Sequence, residues 1–371
     1  MQKRSRVLDV RQGDLVWVTG TIYMEMPLKP NILQDVARKH WLAHQPDREK
    51  WLSEDGKDLV MLEDESGRLR MSGIALRNEM LVTGCVIAVM GTENENGEFE
   101  VVDVKVPDLA PQPERWSTTQ PPATSTQNGH RKTKRRKLDS QSDDESTNGT
   151  DEVKSGSGSK IAIVSGMAFS GFSAEGSVQI DMLLEYLLGE ALDTETQGNT
   201  SHISRLIIAG NSIIANPDKP SHDTIGHGRK HIAREKYGYD SSAYNPAPIA
   251  HLDNFLAQLL PSMPVTLIPG ETDPANVSLP QPGIHPAMIP QARAYAGGPP
   301  NVPLEEREPG WFDAATNPWD GEIDGWKVLG CGGQNVDDTF HYVEGDDRLT
   351  MMNAMMRWRC CAPTCPDTLC K

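Results

Sequence analysis

A run of fifty residues, 110–159, divides this chain. Hydrophobic side chains nearly vanish from it, and Pro, Ser, Thr, Gln, Asn and charged residues take their place. Such a segment cannot bury enough apolar area to offset the entropy lost on ordering, so it is expected to be a disordered linker. What lies on either side must then fold around separate cores, and 371 residues suffice for about two. The expected division is 1–109, 110–159 and 160–371.

Residues 1–109 read as strands. LVWVTGTIYM (15–24), GRLRMSG (67–73), MLVTGCVIAVMGTE (80–93) and EFEVVDVKV (98–106) are rich in Val, Ile and aromatics and are separated by turn signals such as ESG and NENG. Several short antiparallel strands, one long enough to bend across two sheets, point to an OB-type β-barrel, partial at its N-terminus. A barrel that grips single-stranded nucleic acid needs exposed aromatics on a basic face. Here Trp17, Tyr23 and Phe99 are the aromatics in the strands and their surroundings are acidic, so a barrel used for protein contacts is favoured.

From Lys160 the pattern becomes α/β. IAIVSG is an apolar strand ending in a Gly-rich loop. Ile180, Leu183, Leu184, Leu187 and Leu188 make one helix face, with Gly189 placed as a C-cap. RLIIAGN is a second buried strand. Leu252, Phe255, Leu256, Leu259 and Leu260 make another helix face, stopped by Pro261, before the strand VTLIPG. The expected fold is therefore mixed α/β, with the working loops at the carboxyl ends of the strands.

Those loops are SGMAFSG (165–171), AGNSII (209–214) and PGETDPAN (269–276). Neither G-x-G-x-x-G nor G-x4-G-K-[ST] occurs after the first strand, so dinucleotide and nucleoside-triphosphate sites are not indicated. Asp273, before Pro274, reads as a structural turn residue. Glu271 and Asp273 as an acid/base pair lack a neighbouring nucleophile. His222, His227 and His231 sit among Gly, Lys and Arg, which favours a solvated loop over a metal site.

Formal net charge is −16, which disfavours autonomous binding to phosphate backbones. No window reaches the roughly 20 apolar residues that span a bilayer, and the first residues lack a signal-peptide core, so a soluble intracellular protein without membrane association is expected. Cys85 and Cys331 read as reduced core thiols. Cys360, Cys361, Cys365 and Cys370 are spaced CC-x3-C-x4-C, without the paired C-x2-C knuckles of zinc sites. Within the linker, Arg131, Lys132, Lys134, Arg135, Arg136 and Lys137 form a basic cluster suited to nuclear import, followed by the acidic run SQSDDES.

In order and flanking strands the three loops resemble those of calcineurin-like metallophosphoesterases, whose strand ends carry D-x-H, G-D-x-x-D and G-N-H-[DE]. On that resemblance the ligand positions fall on Ser165 and Met167, on Asn211 and Ile214, and on Glu271, with the catalytic histidine at Thr272. An aliphatic and a thioether side chain stand where hard donors are needed, so no metal, no cofactor and no catalytic residue are expected. An acidic OB barrel followed by such a domain resembles the B-subunits of replicative DNA polymerases, and within them the small subunits of polymerase delta. MPLKPNIL, SGRLRMSG, FEVVDVKVPDLAPQ, RLIIAGNSI, MPVTLIPGETDPANVSLPQPGIHPAMIP, ATNPWDGEIDG, GGQNVDD and APTCPDTL carry the resemblance.

The resemblance implies a non-catalytic scaffold in the nucleus. It would hold the catalytic subunit through that subunit's cysteine-rich C-terminal domain and carry a third subunit that tethers the complex to the sliding clamp, touching DNA only indirectly. Family members extend further at both ends, so the chain reads as truncated at each, with an exposed sheet edge and reliance on partners expected. The alternatives are a residual phosphoesterase holding one ion through Glu271, Asn211 and Asp273, and a single-strand binder acting through the barrel.

Overall fold

A ten-residue strand that bends once organises the N-terminal unit. In the computed structural model, which describes residues 2–30, 48–53, 56–77, 79–111, 160–171, 174–190, 193–214, 245–276, 278–297, 310–323 and 326–369, a short β1 (Gln2–Lys3) precedes this strand, β2 (Val16–Glu25). Val16, Val18, Ile22 and Met24 of β2 point inward, as the alternation of apolar residues requires. Its first half pairs with β5 (Val86–Glu93) and its second half with β3 (Leu59–Glu63). Gly20 lies at the crossover: a Cβ there would stand 2.8 Å from the Glu63 carbonyl and the Leu62 Cγ, so only glycine lets the strands meet.

With β4 (Arg68–Ser72) and β6 (Phe99–Lys105) the strands close in the order β2-β3-β4-β6-β5-β2, every pairing antiparallel except β4 with β6. That is the Greek-key closure of an OB barrel. The stretch 80–93, which reads as one strand, becomes regular only at Val86. Before it, Gly84 turns at φ +92° against the backbone of Pro363, and the Thr83 hydroxyl accepts from the Met24 N–H at 3.0 Å. Strand β3 was hidden in sequence because its residues 59–63 sit beside charged neighbours and show one fully buried side chain, Leu62.

The second unit is built on four parallel strands, ordered β7-β8-β9-β10 among the described residues: β7 (Lys160–Val164), β8 (Ile203–Ala209), β9 (Val265–Ile268) and β10 (Phe312–Ala314). One face takes the helices α1 (Ala174–Leu188) and α3 (Ala247–Leu259), with the short α2 (Thr194–Thr200) between them in sequence. Ile180, Leu184 and Leu187 of α1 and Leu252, Phe255, Leu256 and Leu259 of α3 pack on Leu206, Ile208, Val265 and Leu267, the helix faces expected from their spacing. The other face takes a hairpin, β11 (Trp319–Ile323) and β12 (Trp326–Gly330), through Ile207, Ile268, Ala315 and Ile323. No helix among the described residues is long and apolar enough to cross a membrane.

After β12 the chain leaves this body. Helices α4 (Gln334–Tyr342) and α5 (Arg348–Trp358) lie against the barrel, and Phe340, Tyr342, Val343, Met351, Met355 and Trp358 complete the same core as Val18, Ile22, Leu62 and Phe99. Sequence reading groups 334–369 with residues 160–371, but its apolar side chains belong to the barrel's core. The reason lies in partners remote in sequence. Trp51 stacks on His341 with ring centroids 4.7 Å apart and donates its backbone N–H to the His341 carbonyl. Lys50 donates to the carbonyls of Phe340 and Gly345. Lys29 reaches Asp367 at 2.6 Å, with 12% of each side chain exposed, and the Tyr342 hydroxyl donates to the same carboxylate at 2.9 Å.

Candidate functional site

The rim is formed where β7, β8 and β9 end, and backbone rather than side chains fills its centre. Gly210 adopts φ +78°, and a Cβ there would meet Gly332 O at 2.8 Å and the Gly270 Cα at 3.1 Å. Three loops thus touch through glycine. The loop after β7 is zipped to the loop after β8: Gly166 N–H donates to Gly210 O, Phe169 N–H to Ser212 O and Ile214 N–H to Phe169 O.

The residues singled out from sequence are brought to this rim, each with a definite task. Ser165 donates its hydroxyl to Ala209 O at 2.7 Å. Met167 is half-buried against the helix-side core. Asn211 sits in the left-handed region at φ +54°, and its Oδ1 accepts from Thr272 N–H at 3.3 Å and from the Thr272 hydroxyl at 3.4 Å. Thr272 Oγ1 also lies 2.6 Å from Ile213 O, which it serves as donor. Ile214 and Glu271 are exposed. Asn211 and Thr272 therefore hold each other, and the strand-end geometry has become a set of loop-to-loop ties.

Asp273 does more than shape a turn. It is 4% exposed; its Oδ1 accepts from Ile213 N–H at 3.0 Å and its Oδ2 from Gly270 N–H at 2.7 Å, so one carboxylate clasps the loops after β8 and β9. Burial pushes its carboxyl above the usual carboxylate range, and the backbone N–H groups that point at it oppose that rise.

Beneath the rim lies an amide cluster that sequence reading did not single out. Asn317 and Gln281 are each 1% exposed. The Asn317 amide nitrogen is shared among Pro269 O, Gln281 Oε1 and Gln334 Oε1 at 3.0–3.1 Å, while its Oδ1 accepts from Gly332 N–H. Gln281 donates to Gly270 O at 2.9 Å. Buried amides in water-poor surroundings must pair, and these pair with one another, with the backbone of the loop after β9 at Pro269 and Gly270, and with Gly332 after β12. Their segments LPQPG, ATNPWDG and GGQNVDD are conspicuous in the sequence, but Asn and Gln follow no apolar periodicity that would announce a cluster.

Among the described residues no group of three or more His, Cys, Asp or Glu side chains is arranged to hold a metal ion. Cys85 is fully buried, and burial pushes its thiol up to about 12, as suits a core residue. Cys331, Cys360, Cys361 and Cys365 are half-buried and form no disulfide. The basic cluster 131–137, the SQSDDES run, Cys370 and the histidines at 222, 227 and 231 lie outside the described residues.

On the barrel, two of the three strand aromatics are covered, and Trp17 is half-buried. Phe99 is wholly buried, and the Tyr23 ring is covered by the Arg68 guanidinium at 4.1 Å and the Lys29 ammonium at 5.0 Å. Exposed arginines nearby are paired, Arg68 with Glu63 at 2.8 Å and Arg70 with Glu98 at 3.1 Å.

Comparison with known proteins agrees with this layout. Residues 1–104 match the family model described as the DNA polymerase delta subunit OB-fold domain, and residues 161–371 match that of the DNA polymerase alpha/epsilon B-subunit. The chain belongs to the DNA polymerase B-subunit family. It is 29% identical over 364 residues to the DNA polymerase delta small subunit of Arabidopsis thaliana, covering 98% of this chain and 68% of that one. It is 28% identical to the small subunit of Saccharomyces cerevisiae (99% and 67%) and 29% identical to DNA polymerase delta subunit 2 of Drosophila melanogaster (94% and 66%). The amide cluster and the barrel cap therefore lie within the lengths aligned to B-subunit relatives.

Proposed function

We propose that this chain is a non-catalytic accessory subunit of a polymerase delta complex, acting in the nucleus by holding other subunits together. The observation that carries this reading is the engagement of the rim itself. A binuclear centre brings four positive charges together and needs free, hard donors around it. Here Asn211 Oδ1 is occupied by Thr272, both Asp273 oxygens are occupied by backbone N–H groups, and Met167 turns into the core. The residues present do not fit the metal pair of a calcineurin-like phosphoesterase, and we derive no hydrolytic step. We read the α/β body as that fold with its chemistry replaced by packing.

The reading extends to partners: the catalytic subunit, held through its cysteine-rich C-terminal domain, and a third, clamp-tethering subunit, with DNA held elsewhere in the complex. The net charge of −16 and the covered Phe99 and Tyr23 of the barrel support protein contacts over nucleic-acid contacts. The decisive experiment is co-expression with a polymerase delta catalytic chain and third subunit. Stoichiometric co-purification supports the reading. Failure of the chain to associate with either, or manganese-dependent hydrolysis of an aryl phosphate abolished by Glu271→Ala, overturns it.

A further inference from the structure

The chain crosses from the α/β body to the cap of the barrel in a few residues, and thiols stand on both sides of the crossing. Strand β12 ends at Gly330 and α4 opens at Gln334, so Cys331 lies on the crossing itself. Gly332, the next residue, donates its N–H to Asn317 of the body, and Gly333 turns the chain into α4 at φ +101°. On the cap side, α5 ends at Trp358 and is followed closely by Cys360 and Cys361.

A side chain of α4 ties the two stretches together. Asn335, in the first turn of α4 and buried, donates from Nδ2 to the Cys361 carbonyl. Its Oδ1 is buried with no partner among the described residues, so the amide nitrogen alone makes this tie. Cys331, Cys360 and Cys361 are each half-buried, and they lie close enough to act on one another. Burial, and then the neighbouring Cys360 and Cys331, push the Cys361 thiol up.

We infer that Cys331 and Cys361 are a redox-sensitive pair, which a peroxide closes into a disulfide that locks the cap helices α4 and α5 to the crossing. An oxidised thiol with a second thiol beside it is resolved as a disulfide instead of passing to higher oxides. Cys331 takes the oxidant. Its sulfur attacks the O–O bond and is oxidised by two electrons to the sulfenic acid, while the peroxide is reduced and one water leaves. The Cys361 sulfur then displaces the sulfenic oxygen, which departs as a second water carrying the Cys361 proton. Two thiols and one hydrogen peroxide thus give one disulfide and two waters. The raised Cys361 thiol slows its own reaction with peroxide and suits it to the second step.

A bridge needs Cα atoms within about 7 Å of each other. The stretch 330–333, Gly-Cys-Gly-Gly, has the backbone freedom to reach that spacing. In a reducing compartment the pair rests unbridged, as it is here. Once formed, the bond closes residues 331–361 into a ring that contains both cap helices.

The test treats the full chain, in dilute solution, with hydrogen peroxide, then alkylates the remaining thiols, digests with trypsin and reads the peptides by mass spectrometry. Cleavage after Lys327, Arg348 and Arg359 leaves Cys331 in peptide 328–348 and the C-terminal cysteines in 360–371. The expected product is a cross-link between these two peptides. It is removed by dithiothreitol, kept in Cys360→Ser, and lost in Cys331→Ser and in Cys361→Ser. The bridged chain is expected to unfold at a midpoint about 5 °C above the reduced one, because a closed ring constrains the unfolded state. Bonds confined to 360–371, a cross-link that persists in Cys361→Ser, or bridges only between chains overturn the inference. Should a serine variant fail to fold, fragmentation of the parent's cross-linked peptide decides the point, since the bond must fall on Cys361 and not on Cys360, Cys365 or Cys370. The chain alone suffices for this experiment, so its outcome is independent of the accessory-subunit reading.

Discussion

The barrel and the α/β body each bury a curved sheet, but they finish the task differently. Every strand in the closed ring of the barrel has neighbours on both sides, and a helical segment that begins 229 residues later in the sequence (Gln334–Trp358 against strands ending at Lys105) completes its core. In the body, among the described residues, the sheet ends at β7 and the hairpin at β12, with Ile163 and Trp326 exposed. The difference separates a unit whose strands are all paired from one that, among the described residues, keeps open strand edges. It also separates two kinds of interior: apolar packing in the barrel, and under the rim an amide cluster that fixes loops by hydrogen bonds.

The largest perturbation strikes the shared core of the barrel. Trp358→Ala removes an indole that is 4% exposed and is expected to cost about 4 kcal/mol, seen as an earlier denaturant midpoint. If the barrel is truly closed by its cap, the barrel signal and the cap signal are lost together. Separate transitions for the two would break the comparison.

Next is the tie between Lys29 and Asp367. Lys29→Ala leaves a mostly buried carboxylate without its cation and is expected to cost about 3 kcal/mol. Asp367→Asn in the same background should then cost much less than it does alone, a non-additivity that a double-mutant cycle measures. Under the rim, Asn317→Ala strands the Gly332 N–H and the Pro269 carbonyl, for about 2 kcal/mol, while leaving the barrel's own unfolding unchanged.

A smaller effect depends on pH. The carboxyl of Asp273 is raised by burial from its ordinary value of 3.8, so the stability it favours is complete below that value and is lost as pH climbs through the raised folded value. Asp273→Asn should flatten this part of the stability profile in a urea-denaturation series taken across acidic pH. Smallest of all, Leu349→Lys on the exposed face of α5 should change stability by less than about 0.5 kcal/mol.

Much of this contrast was open to reading in the sequence, because the signals that carry it are local. Leu252, Phe255, Leu256 and Leu259 declare a buried helix face by spacing alone, and β2 alternates as a half-buried strand must. The loops at the strand ends were placed by the apolar runs that lead into them. What could not be read is the set of contacts whose partners are distant and whose chemistry has no period. Asn317, Gln281 and Gln334 come from separate segments, and Tyr342 and Trp358 look like ordinary helix residues until the barrel is beneath them.

Lys29 and Asp367 lie 338 positions apart, so a stretch made early must wait for one made much later before its interior can be sealed. A nascent chain emerging from the ribosome carries a β-barrel without its stopper while everything between Lys105 and Gln334 is translated, with Tyr342 and Trp358 still to come. Chaperone occupancy during elongation is thus built into the order of the residues, and a circularly permuted chain starting at α4 should mature sooner.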